Sequence, residues 1–439
     1  MEFSEKKVLV CGMARSGQAA VRLLSKLGAD VTAQDLKEKL PLDFDENIKL
    51  ILGKNPDDSI KEFDLIIISP GIPFDLPFLE KARSCGIPVW GEVELAYRLC
   101  PCPIIAITGT NGKTTVTTLV GEIMKRHNNK TIIVGNIGIP FTELVTALKP
   151  DNWVVAEVSS FQLETAHEFS PKISAVLNLT PDHLDRHKTM EIYQATKEKI
   201  FARQQPGDLA VLGYDNLLTR EMNPPCNTIF FSAKEKLEDG VYLDGKMIRY
   251  KDIIVADISK IKILPENALA ATALCLCAGV APETIAGVLL EFRGVEHRIE
   301  YVTEINGVEF FNDSKATNTD SAIKGLEAMK RPVILIGGGD GKGASFGDWV
   351  RCFDDNGKGK VKHLIVLGMD ADRIIETCRA YSYHSYDKVN SLRDAVQLAY
   401  SKAEPGDCVL LSPACASLDM FDNYEQRGGL FKDFVVELM

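Results

Sequence analysis

Short, almost uninterrupted apolar runs are the feature that most restricts this chain's fold. They are Val8–Cys11, Leu65–Ser69, Ile104–Thr108, Trp153–Glu157, Ser174–Leu179, Val333–Gly337, His363–Gly368 and Cys408–Ser412. Runs of strand length that stop at or beside Gly, Ser or Thr are typical of parallel strands buried on both faces. Stretches of helical periodicity separate them, so right-handed βαβ units and α/β architecture are predicted throughout. The exception is Gly240–Tyr250, which reads as a hairpin about Asp244–Gly245.

At 439 residues the chain exceeds one ordinary domain. A first strand–helix series closes near Glu94–Leu99, and Pro101 and Pro103 punctuate a linker. A second series ends at a helix pair around Asn267–Phe292, and Arg293–Glu300 leads into a third. The predicted domains are 1–97, 98–297 and 298–439. Net charge is −11, from 50 basic and 61 acidic residues, which argues against general binding to nucleic acid or anionic membranes. No apolar stretch approaches the roughly 20 residues that would span a bilayer. MEFSEKKVLVCG lacks the features of a secretory leader. The 11 cysteines are scattered without a C-x-x-C pair, and Cys100–Pro–Cys102 and Cys275–Leu–Cys277 have the wrong spacing for zinc. Reduced thiols and a cytoplasmic location are therefore expected.

Chemistry concentrates after Ile104–Thr108, where Gly109-Thr110-Asn111-Gly112-Lys113-Thr114-Thr115 opens a helix over Lys113–Arg126. Glycines let backbone N–H groups converge, and the helix N-terminus adds positive potential, which suits phosphate. Lys113 can reach the β- and γ-phosphates, and the Thr114 hydroxyl can ligate Mg²⁺. Only two residues separate the first glycine from the Gly-Lys pair, so this is not a strict Walker A loop. Glu157 at the end of the next apolar strand suits a hard cation. Asn178–His187 (NLTPDHLDRH) follows a further strand, and Asp182, His183 and Asp185 could serve as ligands or proton carriers.

Together these residues resemble the Mur ligases, a family of ATP-dependent amide-bond ligases of peptidoglycan precursor synthesis. The shared pattern is G-T-N-G-K-T at Gly109–Thr114, E-V-S-S at Glu157–Ser160, D-H-L-D-R-H at Asp182–His187, and the lysine of Tyr193–Lys197 (YQATK). Towards the C-terminus, Phe292–Glu300 (FRGVEHRIE) resembles the segment whose last arginine, here Arg298, reaches ATP. Asp313–Asn318 (DSKATN) resembles the branch that adds D-glutamate, whereas branches adding lysine or diaminopimelate carry D-N-P-R. Gly338–Lys342, Ser412–Asp419 and Tyr424–Gly428 match that branch in order and spacing. One departure stands out. A His-Asn pair usual ahead of the helical Ala run is replaced by Ile263-Leu264, leaving Asn267 alone.

The resemblance implies a Rossmann-like N-terminal domain for the UDP-sugar, a central P-loop ATPase-like domain on a parallel or mixed sheet, and a Rossmann-like C-terminal domain. The last would complete the ATP site and bind the amino acid, with domain closure before chemistry. Gly12–Gly17 then holds uridine diphosphate, with Arg15, Ser16, Asp35, Lys37, Gly71, Asn136, Ser159 and His183 as contacts. ATP would meet Gly109, Thr110, Asn111, Gly112, Lys113, Thr114, Thr115, Asn267, Arg298 and Asp313. One or two Mg²⁺ ions would be served by Thr114, Glu157, His183 and Lys197 as its carbamate. Lys315, Thr317, Lys342, Ser417, Leu418 and Tyr424 would receive D-glutamate, and Lys113, His183, Lys197, Arg298 and Lys315 would carry catalysis. The substrates implied are UDP-MurNAc-L-Ala and D-glutamate, handled by a monomer. Rival readings are a Mur-type ligase for another amino acid, a folylpolyglutamate-type ligase, a nicotinamide oxidoreductase using Gly12–Gly17, and a non-catalytic nucleotide-binding module.

Overall fold

The computed structural model describes residues 2–40, 44, 48–56, 59–261, 263–341, 343–354 and 359–439. Lys342 and the side chain of Asp185, both singled out from the sequence, lie outside the described parts. Two compact units form, Met1–Phe292 and Arg293–Met439.

The first unit holds two sheets. Its N-terminal sheet is wholly parallel, in the order Lys49–Leu52, Asp30–Asp35, Lys7–Cys11, Leu65–Ile68, Val89–Gly91. Lys7–Cys11 is central, and its last four residues are buried, as the apolar run requires. The helix Arg15–Lys26 packs tightly on this strand because position 17 is glycine. A Cβ there would stand 1.8 Å from the Gly12 carbonyl oxygen. The second sheet has nine strands and is mixed. Its core is the fully buried Ile104–Thr108, flanked in parallel by Ile173–Val176 and Trp153–Glu157. The expected hairpin forms between Gly240–Asp244 and Met247–Tyr250, and Ile253–Asp257 extends it antiparallel.

A continuous apolar core runs from Val8 and Ile67 through Trp90 and Val93 to Ile104, Val154 and Phe201, so the two sheets share one interior. Two buried carboxylates of the helix Glu92–Leu99 add directional ties. Glu92 accepts from the Thr142 N–H and hydroxyl at 2.6 and 2.8 Å. Glu94 accepts from the N–H groups of His167, Glu168 and Phe169 and pairs with Arg98. Glu94 is thereby satisfied at both oxygens, whereas Glu92 Oε2 is buried with no partner among the described residues and burial raises the Glu92 pKa.

The second unit is built on a six-stranded sheet in the order Glu300–Ile305, Val308–Asn312, Cys408–Leu411, Val333–Gly338, Val361–Leu367, Tyr386–Lys388. Its first pair is antiparallel, which corrects the expectation of parallel pairing outside the one hairpin. Asn306 and Gly307 close that pair with positive φ at both positions, the geometry of a tight hairpin turn.

Candidate active site

In the first unit the site residues gather where Ile104–Thr108, Trp153–Glu157 and Ile173–Val176 end side by side, with Ile107 in register with Glu157 and Thr108 with Val176. Carboxyl ends of adjacent parallel strands are where α/β folds bind ligands. The chain turns through Gly112 at φ +82° into the helix Lys113–His127. A Cβ on Gly112 would lie 2.5 Å from Asn267 Oδ1, so the lone asparagine of the departed motif sits against the loop.

Asn178 shapes that loop. Its Oδ1 accepts from the Asn111 N–H at 2.8 Å, its Nδ2 donates to the Asn111 carbonyl at 3.1 Å, and its carbonyl accepts from the Thr110 N–H. Two loop amides are thus committed to protein. The Thr110 hydroxyl bonds Thr180 and the Tyr193 hydroxyl. Lys113 Nζ donates to the carbonyls of Gly109 at 2.9 Å and Thr110 at 2.8 Å. Sequence reasoning singles out neither Asn178 nor Tyr193, although they open the segments Asn178–His187 and Tyr193–Lys197.

Lys197 lies under the same loop and is 1% exposed, which rules out the solvated helix lysine that periodicity alone would suggest. Its Nζ donates to Thr108 Oγ1 at 3.2 Å and to the Gly109 carbonyl at 2.9 Å, and stands 4.8 Å from the Tyr193 ring centroid. Burial, reinforced by the Lys113 charge, holds its pKa well below the usual lysine range, against the opposing pull of Asp182 and Glu157. Glu157 is 1% exposed. Its Oε1 accepts from Asn136 Nδ2 at 2.8 Å, while Oε2 is buried with no hydrogen-bond partner among the described residues. An orphaned carboxylate oxygen beside a phosphate loop fits a cation. His183, more exposed and at φ +52°, faces Asp182 and the Phe161 ring. Among the described residues no group of three or more His, Cys, Asp or Glu side chains forms a ready-made metal cage. A cation here would depend on donors of other kinds.

Around the N-terminal sheet, Asp35 accepts from the N–H groups of Met13 at 2.7 Å and Lys37 at 2.9 Å, which shapes the turn after Cys11. Arg15 donates to the Gly138 carbonyl, in the same segment as Asn136. Ser159 caps the helix Ser160–Glu164 in a box with Gln162. Gly71 stands in open space.

In the second unit Arg298 is flanked by His297 at φ +63° and Ile299 at φ +48°. A left-handed β-branched residue is an outlier that its surroundings must enforce. They do so here. The Ile299 N–H donates to Asp313 Oδ1, the Lys315 N–H to the His297 carbonyl, and Asn312 to the His297 ring. Burial pushes the Asp313 carboxyl up to about 7, opposed by Arg298 and by the Ser412 hydroxyl at 2.8 Å. Arg298 Nε is buried without a hydrogen-bond partner among the described residues. Lys315 Nζ lies 5.4 Å from the Tyr424 ring, and the Thr317 N–H donates to the Lys315 carbonyl. Arg427, unassigned from the sequence, ties Ser314 to the carbonyls of Cys415 and Ala416 and so joins the loops bearing Lys315 and Ser417. Ser417 is buried beside the exposed Leu418.

Three-layer α/β units, a two-sheet first unit and a phosphate loop over a buried lysine define the class, and family comparison agrees with it. Mur ligase family models match in three places. The MurD-like N-terminal domain covers residues 6–91, the Mur ligase middle domain 107–275, and the Mur ligase glutamate ligase domain 297–415. Among solved structures, the UDP-N-acetylmuramate-alanine ligase MurC of Thermotoga maritima shares the fold at TM-score 0.61 and 18% identity, over 99% of this chain and 100% of its own. The MurF ligase of Thermotoga maritima in complex with ADP does so at TM-score 0.60 and 15% identity, over 100% and 97%. The UDP-N-acetylmuramoylalanine–D-glutamate ligase of Alkaliphilus metalliredigens is 47% identical across 100% of this chain and 99% of its own. That of Lachnospira eligens is 45% identical across 100% of both. The chain belongs to the family of UDP-N-acetylmuramoylalanine–D-glutamate ligases, the D-glutamate-adding Mur ligases.

Proposed function

We propose that this chain joins D-glutamate to UDP-MurNAc-L-Ala at the expense of ATP, as a monomeric cytoplasmic enzyme with functional segments 1–97, 98–297 and 298–439. The observation that carries the reading is Lys197, buried against the phosphate loop beside the orphaned Glu157 oxygen. Among the described residues no helix is long and apolar enough to cross a membrane.

A free carboxylate is a poor electrophile, so the γ-phosphoryl group first passes from ATP to the alanine carboxylate, releasing ADP. The D-glutamate amine then attacks the acyl phosphate, the tetrahedral intermediate expels phosphate, and the amide remains. Such transfers need alignment and charge neutralisation more than covalent help from protein. Lys113 neutralises the transferring phosphoryl group from the phosphate loop, and Arg298 is a further cation for ATP phosphate. Gly109, Thr110, Asn111, Gly112, Thr115, Asn267 and Asp313 position the nucleotide. Arg15, Ser16, Asp35, Lys37, Gly71, Asn136 and Ser159 hold the UDP-sugar. Lys315, Thr317, Lys342, Ser417, Leu418 and Tyr424 receive the two carboxylates and the amine of D-glutamate.

The Lys197 amine, its pKa held down by burial and by Lys113, adds in its unprotonated form to CO₂. One N–C bond forms, one proton leaves to solvent, and a carbamate anion with two oxygens replaces the neutral amine. Thr114, Glu157, His183 and that carbamate would hold Mg²⁺, which when bound supplies neutralisation of phosphate charge. Incubation with ATP, UDP-MurNAc-L-Ala and D-glutamate, followed by mass spectrometry, tests the whole reading. A nucleotide sugar heavier by one glutamyl residue is expected, and unchanged substrate with intact ATP would overturn it.

A further inference from the structure

We infer that Arg186 is a positioning residue, fixing the loop around Gly71 for the nucleotide-sugar substrate from a segment of the second sheet. The inference rests on the ligase reading above. Arg186 lies three residues after His183, in the short helix Leu184–His187. Its guanidinium reaches the loop that follows the N-terminal strand Leu65–Ile68. Nη1 donates to the Pro70 carbonyl at 3.0 Å and Nη2 to the Ile72 carbonyl at 2.9 Å, so both carbonyls flanking Gly71 are held by one side chain.

The grip is itself held. Nε and Nη2 also donate to the two Glu164 oxygens at 3.0 and 2.5 Å, and the guanidinium carbon lies 4.3 Å from the Phe161 ring centroid. Phe161 in turn packs on the His183 ring at 4.8 Å. A Cβ built on Gly71 would meet nothing within 4 Å, so the space above that peptide is clear for a ligand. Two anchored carbonyls beneath an open glycine make a pre-formed floor, and pre-formed floors bind better because less ordering is lost on association. Only a planar fork can serve both carbonyls and a carboxylate at once, whereas a lysine ammonium is a point donor on a flexible stem.

The test compares the full chain with Arg186→Lys and Arg186→Met by titration calorimetry. UDP-MurNAc-L-Ala and ADP are titrated separately, and thermal melts confirm that each variant is folded. A purely structural loss would weaken both ligands. The expected result is a Kd for UDP-MurNAc-L-Ala raised about tenfold in Arg186→Lys and further in Arg186→Met, with ADP affinity within about twofold of the parent. Arg186→Lys keeps the charge and the Glu164 pairing and serves as the informative variant should Arg186→Met fold poorly. Parent-like affinity for the nucleotide sugar in Arg186→Lys, or an equal loss for ADP, overturns the positioning role. A parent that fails to bind UDP-MurNAc-L-Ala overturns the ligase reading and this inference with it.

Discussion

Replacing Lys197 separates a structural lysine from a reacting one, because the two roles move stability and activity differently. In CO₂-depleted buffer the buried Lys197 amine donates to Thr108 Oγ1 and the Gly109 carbonyl, worth together about 1–3 kcal/mol. Against this stands its burial, which disfavours the protonated form that the unfolded chain keeps. Lys197→Met keeps most of the stem's volume and removes the titrating amine. Its melting temperature should therefore equal or exceed the parent's. The sign follows from the depressed pKa: below the unfolded value near about 10.4 the unfolded chain binds a proton that the folded site resists. The parent therefore loses ground to the variant as pH falls from there towards the folded pKa. Activity should move the other way. Loss of the carbamate should lower phosphate release at least about a hundredfold, about 2.7 kcal/mol of barrier. Lys197→Ala should regain part of the rate with added acetate, which supplies two oxygens and a charge to the vacated space. Lys197→Arg should stay inactive, since it cannot be carboxylated. Parent-level turnover in Lys197→Arg or Lys197→Met would refute the reasoning.

Lys113→Ala should cut phosphate release about a hundredfold while leaving calorimetric binding of UDP-MurNAc-L-Ala intact, and near-normal turnover would reduce the loop to a turn. Gly112→Ala forces a side chain into φ +82° and to 2.5 Å from Asn267 Oδ1, a strain of about 1–3 kcal/mol. Weaker ADP binding and a lower melting temperature should follow, and an unchanged variant would contradict the loop geometry. Asp313→Asn bears on pH. With its folded pKa raised to about 7, Asp313 contributes stability that is complete below about pH 4 and lost as pH rises to 7. The Asn variant lacks that loss, so unfolding free energies from denaturant titration should favour it by about 2–4 kcal/mol more at pH 8 than at pH 4. A pH-independent difference would mean that Asp313 ionises normally.

The phosphate loop was legible because strand, turn and helix all declare themselves locally. Lys197 was not, and the pattern of its helix explains why. Along Met190–Glu198 the buried residues are Tyr193, Thr196 and Lys197, whereas Ile192 is half exposed. Polarity there points opposite to burial, so only the family motif distinguished the lysine. The Asn178 clamp on Asn111 was hidden for a related reason, since amide-to-peptide pairing between the loops that follow two separate strands leaves no spacing signal. The hairpin missed at Glu300–Asn312 did carry a signal, the Asn306–Gly307 pair between alternating strands. Arg427 and Arg186 lie within recognisable motifs, yet sequence gives them no role, because a buried arginine's partners are carbonyls chosen by tertiary structure.

Phosphate release in the presence of ATP, Mg²⁺ and UDP-MurNAc-L-Ala, measured across a panel of amino acids, bears most directly on the central claim. D-glutamate alone among common amino acids should give rapid release, because Lys315, Thr317 and Tyr424 gather on the D-S-K-A-T-N loop and the helix facing it. Comparable turnover with L-lysine or diaminopimelate, or release that does not depend on the amino acid, would contradict it.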